Sequence, residues 1–109
     1  YGQIDAQLAD GQAQEALKTA TAELQLSPSD PILHGLQARS YAALGKRLQQ
    51  HRAQAELYFL QGQLVAAVQQ LELAQKAGDG DFFLLSQVDA RLRELKMGQQ
   101  EEAKQKLPL

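Results

Sequence analysis

The chain has 109 residues, of which 44% are hydrophobic and 22% charged, enough apolar side chain for one globular domain with a shared core. With 11 basic against 13 acidic side chains and no run of five like charges, it has no electrostatic footprint for nucleic acid or an anionic membrane surface, and no apolar stretch approaches the roughly 18 residues that cross a bilayer. The absence of cysteine excludes a disulfide framework and thiolate metal sites, and it fits periplasm and cytosol equally.

Apolar residues recur near the 3.6-residue period almost throughout, and the alternation expected of strands is missing. Ile4 and Leu8 form a first stripe, Ala13, Ala16, Leu17, Ala20 and Leu24 a second, and Leu33, Leu36, Tyr41, Ala42 and Leu44 a third. Between the second and third stripes lies Ser27-Pro28-Ser29-Asp30-Pro31, where Asp30 caps the next helix and Pro31 occupies its first position, which needs no amide hydrogen. Further helices are expected over Leu48–Gln61, Leu64–Lys76 and Phe82–Lys96, with a short seventh after Gly98. Gly78-Asp79-Gly80-Asp81 reads as the flexible connection before the sixth helix, which Asp81 caps. Phe82-Phe83 then seat that helix against the fifth, one of the two pointing outward because neighbours on a helix diverge by about 100°.

One spacing organises these elements. Gly11-x4-Ala16 recurs as Gly45-x4-Gln50, Gly62-x4-Ala67 and Gly98-x4-Ala103. A glycine that ends one helix and a small residue early in the next suit a tight helical hairpin with closely approaching backbones. Connections this short lay consecutive helices antiparallel and side by side, so the expected fold is all-α, an antiparallel helix-pair solenoid of six to seven helices with irregular repeats. Ala67 is expected in a close helix contact and Gln69 on the surface.

These residues resemble the tetratricopeptide (TPR) family, whose unit of about 34 residues carries a tyrosine in its first helix, a glycine at the turn, an alanine early in its second helix and a closing proline. Gly11, Ala16 and Pro28 match one unit, and Gly45 follows Gly11 by 34 residues with Tyr41 in register. Tyr58, Gly62, Ala67 and Ala74 repeat the pattern, but Tyr58 follows Tyr41 by only 17 residues. The helix beginning near Leu48 therefore serves two pairs, and Gln50 stands where the motif places alanine. A narrower resemblance rests on Arg52-Ala53-Gln54-Ala55-Glu56-Leu57-Tyr58, Gly62-Gln63-Leu64 and Val88-Asp89-Ala90-Arg91-Leu92-Arg93-Glu94-Leu95. These runs look like the C-terminal tail of BepA-like periplasmic zinc peptidases, which join an HExxH domain to a TPR tail and act in outer-membrane protein assembly and quality control. The resemblance implies that residues 1–109 are one TPR-like domain, a C-terminal fragment of a longer periplasmic chain, and that zinc belongs to the part not present. No HExxH occurs here, so no zinc or catalytic residue carries over.

Chemistry within the chain is sparse. His34 and His51 are 17 residues apart without an acidic or histidine partner at helical metal-site spacing, and both fall where the repeat places a large packing residue. Asp79 and Asp81 lack the further oxygen ligands and closing glutamate of a calcium loop. Ser27, Ser29, Ser40 and Ser86 have no paired base or nucleophile elbow. The expectation is therefore no catalysis by this chain, no cofactor and no metal, and instead a groove for a protein or peptide partner. By register, Arg39, Arg52, Glu56 and Phe59 face that groove, arginine for carboxylates and phenylalanine as an apolar anchor, with Arg52 and Glu56 also spaced as a surface pair. The alternative is a TPR scaffold or adaptor with no peptidase attached.

Overall fold

The computed structural model describes residues 1–106 and is helical throughout, with no strand among them. In chain order the helices are α1 (Gly2–Ala9), α2 (Ala13–Leu26), α3 (Pro31–Ala43), α4 (Arg47–Leu60), α5 (Leu64–Gln75) and α6 (Phe82–Lys106). Each packs against its neighbour in sequence, and α1 also reaches α3. The stack measures 55 × 29 × 20 Å with a radius of gyration of 15.0 Å, more elongated than the about 13 Å of a compact domain this long.

The repeated glycine sets three of the turns. Gly11, Gly45 and Gly62 all have φ between 73° and 77°, a left-handed conformation that a Cβ disfavours. After each, the next residue donates its amide to the carbonyl five positions back: Gln12 to Gln7 at 2.8 Å, Lys46 to Tyr41 at 3.0 Å and Gln63 to Tyr58 at 2.9 Å. This is the hydrogen bond that closes a helix whose last carbonyls would otherwise be orphaned. The α2–α3 turn closes differently. Asp30 accepts from the amides of Ile32 (2.9 Å) and Leu33 (3.4 Å), and the Tyr1 hydroxyl donates to its other carboxylate oxygen, tying α1 to the start of α3.

The small residues lie where backbones approach. Ala16, Ala20, Ala55, Ala67 and Ala74 are all fully buried. Two buried clusters result. Ile4, Ala16, Ala20, Leu33 and Leu36 join α1, α2 and α3, while Leu48, Ala55, Ala67, Val68, Leu71, Ala74, Val88, Leu92 and Leu95 join α4, α5 and α6. Tyr58 and Leu64 pack against the second cluster.

Two expectations at the C-terminal end are corrected. Gly98 is not a turn and no seventh helix follows it: α6 runs on through it to Lys106, and Gly98 sits inside a continuous helix facing Leu64. The glycine spacing alone does not separate a turn glycine from one in a helix, and Gly98 lacks the positive φ of the other three. Phe82 and Phe83 do not seat α6 against α5, being 85% and 67% exposed. The next two residues, Leu84 and Leu85, pack on the core instead.

Replacing Ala67 with leucine overfills a sealed contact and should destabilise by about 1–3 kcal/mol, whereas leucine at exposed Gln69 should change stability by no more than about 0.5 kcal/mol. Equal denaturation midpoints for the two variants would contradict this packing. Gly98→Ala should stabilise by about 0.5–1 kcal/mol, because it removes a helix-interior glycine and its new methyl meets only Leu64 Cδ2 at an ordinary 3.6 Å. A lower midpoint would indicate that Gly98 needs a conformation closed to alanine.

Candidate functional site

Two concavities flank the α3–α4 pair, and of the four residues expected to share one groove, Arg39 lines one, Arg52 and Glu56 line the other, and Phe59 lines neither. The larger, about 500 Å³, is an open groove between α1, α3 and α4. Its floor is apolar, with Ile32, Gly35, Leu36 and Leu57, and Gln50 and Gln54 rise from α4 as one wall. Arg39 stands at the rim, 3.3 Å from Asp5 of α1, and both side chains are more than half exposed. Such a pair contributes little to stability and is readily exchanged. Ile32, 53% exposed, offers apolar surface that no other helix covers.

The second concavity, about 390 Å³, opens between α3 and α4 on different faces of the same helices. His34, Gln37 and Tyr41 line it from α3, and Gln49, Arg52, Ala53 and Glu56 from α4. Arg39 and Arg52 therefore do not act on one surface. Along α3, Arg39 shares a face with Ile32, Gly35 and Ala42, whereas Arg52 and Glu56 sit on the side of α4 turned from Gln50 and Gln54.

Glu56 has a partner, but it is not Arg52. Arg91 of α6 grips its carboxylate in a two-point contact, Nε to Oε1 at 2.7 Å and Nη2 to Oε2 at 3.1 Å, and Arg91 Nη1 also reaches Glu94 at 2.8 Å. The same guanidinium lies 4.7 Å from the centroid of the Phe59 ring. The hydrogen bonds that Arg91 donates to Glu56, and then the Glu56 charge, raise the Arg91 pKa above its usual value. Phe59 is thus a platform for Arg91 as well as a partly exposed side chain, and Glu56 and Phe59 meet through a residue that no local spacing indicates. The only sequence signal is distance: Arg91 follows Glu56 by 35 residues, about one repeat.

The histidines bind within the fold. His34 donates from Nε2 to the Pro28 carbonyl at 2.8 Å, and His51 Nδ1 lies 2.8 Å from Gln70 Oε1, linking α4 to α5. Among the described residues no group of three histidine or acidic side chains is placed to hold a metal ion, and no helix is long and apolar enough to cross a membrane.

Asp81 caps α6 as its position implies, accepting from Leu84 N at 2.8 Å. Asp79 does more than turn the chain. It crosses to the start of α4, which has no side-chain cap of its own, and accepts from the amides of Arg47 and, at 2.9 Å, Leu48. Gly80 allows the approach, because a Cβ there would overlap the Leu48 side chain. The Leu48 amide chiefly, with that of Arg47, holds the Asp79 carboxyl below the usual aspartate range.

Compared with protein-family models, curated proteins and solved structures, the chain matches none.

A depressed folded pKa gives stability that is complete above the unfolded value of about 3.9 and is lost as pH falls through the folded value. Asp79→Asn, which keeps the shape and removes the charge, should therefore lower the denaturation midpoint at pH 7. The gap between variant and parent should close as the solution is acidified below about pH 4. A gap that stays constant down to the acid limit would show that the Asp79 charge is not part of the cap.

Proposed function

We propose that the chain is a protein-interaction module of the tetratricopeptide type that holds an extended polypeptide in the α1–α3–α4 groove. The observation that carries this reading is the pairing of an apolar floor with two glutamine amides one helical turn apart. Gln50 and Gln54 make no side-chain hydrogen bond among the described residues, and they are separated by a rise of about 6 Å. Alternate residues of an extended chain repeat at about 6.6–6.8 Å, so one backbone can meet both amides while a side chain between them drops onto Ile32, Leu36 and Leu57.

Gly35 supports the same reading. A glycine in the middle of α3 weakens the helix, yet a methyl there would meet nothing closer than Leu57 Cδ2 at 3.7 Å. Packing does not require the glycine, but the depth of the groove does.

At the level of the parent protein, the module is the client- or partner-binding tail of a periplasmic zinc-dependent peptidase of the BepA-like kind, working in outer-membrane protein assembly and quality control. This reading is supported by two of the three runs that carry the resemblance, Arg52–Tyr58 and Val88–Leu95, which are joined by the Glu56–Arg91 ion pair. Zinc belongs in that reading to an HExxH domain upstream. The second reading, a scaffold or adaptor without a peptidase, is favoured by a groove built wholly from this chain's own helices.

Binding is tested with a permanently unfolded, reduced and carboxymethylated polypeptide, followed by fluorescence anisotropy. Gly35→Ala should raise the unfolding free energy by about 0.5–1 kcal/mol while weakening capture several-fold. Unchanged capture by the more stable variant would sink the groove reading. The two parent readings separate on the full-length native product: about one zinc per chain with peptidase activity indicates the peptidase tail, and neither indicates the scaffold.

A further inference from the structure

The second concavity contains an arginine whose counter-charge is missing. Arg52 is partly buried between α3 and α4, and the carboxylate one turn along, Glu56, is committed at both oxygens to Arg91. Among the described residues Arg52 forms no ion pair, whereas Arg39, far more exposed, has Asp5. A partly buried arginine without a counter-ion can gain from a bound anion the pairing that the fold does not give it. Tyr41 and Gln49 line the same recess, and neither side chain makes a hydrogen bond among the described residues.

We propose that this α3–α4 pocket is a carboxylate-binding site, with Arg52 as its charged anchor and Tyr41 and Gln49 as donors beside it. The planar fork of the guanidinium matches the two oxygens of a carboxylate. The Glu56 wall selects among anions. With Arg91 neutralising it, a ligand carrying one negative charge is accommodated, whereas the dianion that makes up about half of inorganic phosphate at neutral pH meets greater repulsion from Glu56. The site lies on other faces of α3 and α4 than the groove and does not depend on the groove's function.

The test is a titration of the isotopically labelled chain with sodium acetate at fixed ionic strength, with sodium chloride as control, followed by nuclear magnetic resonance. Acetate should give saturable shifts at the Arg52 Nε–H and around Tyr41 and Gln49. Arg52→Gln should weaken binding about tenfold or more, Arg52→Lys less, and Arg39→Gln not at all. Acetyl-triglycine with a free carboxylate, and the same peptide amidated, identify the source of the ligand. Tighter binding of the acid than of acetate assigns the site to a chain terminus, equal affinities assign it to small free carboxylates, and binding of the amidated peptide as tightly as the acid overturns the proposal. Chloride shifts matching those of acetate, unchanged binding by a folded Arg52→Gln, or inorganic phosphate binding more tightly than acetate would each overturn it as well.

Discussion

Close approach of helix backbones at Ala16, Ala20, Ala55, Ala67 and Ala74 is the constraint on which the other features rest. Helices of 12 to 14 residues, such as α2 to α5, have marginal stability alone in water and persist because each buries a face on the next. Small side chains bring the backbones together, and the glycine turns return the chain at the right distance to use them. The concavities are by-products of the same economy. Where α3 meets α4 across Gly35, Ala38 and Ala53, too little side chain is present to fill both flanks, and a hollow is left on each.

The all-helical fold was legible in the sequence because its determinants are local. A Gly-x4-small spacing, the Asp30-Pro31 helix start and the 3.6-residue stripes each act within a few residues, and the turns at Gly11, Gly45 and Gly62 follow from them. What was missed is non-local or depends on a sign that spacing does not carry. Gly98 has the right neighbours for a turn and lies in a helix, because backbone φ rather than spacing separates the two cases. Asp79 has the composition of an ordinary turn residue, and only the folded chain brings it to the uncapped start of α4. Phe82 and Phe83 were expected to seat α6 with one of the two pointing outward, but both are exposed and the core positions go to Leu84 and Leu85.

The candidate site was legible in its residue types and not in its geometry. Arg39, Arg52, Glu56 and Phe59 are all at or near a surface, but register along a single ideal repeat puts them on one face, whereas Arg39 lines one concavity, Arg52 and Glu56 the other, and Phe59 neither. Arg52 and Glu56, expected to face the groove, also have the four-residue spacing of a surface pair on a helix. Arg91 overrides that spacing with two hydrogen bonds and a stacked aromatic ring, a geometry an i,i+4 pair rarely reaches. One long-range contact thus leaves one arginine occupied and the other unmatched.

The division of the core into two clusters has a mechanical meaning. One belongs to α1–α3 and the other to α4–α6, and the α3–α4 crease between them is itself packed, with Ala38 and Ala53 buried. The groove straddles that crease, with Ile32, Gly35 and Arg39 carried by one side and Gln50, Gln54 and Leu57 by the other. Because the two helices pack closely along that crease, the spacing between those walls is set by the same contacts that join the two clusters. The width of the groove is then fixed by the core beneath it.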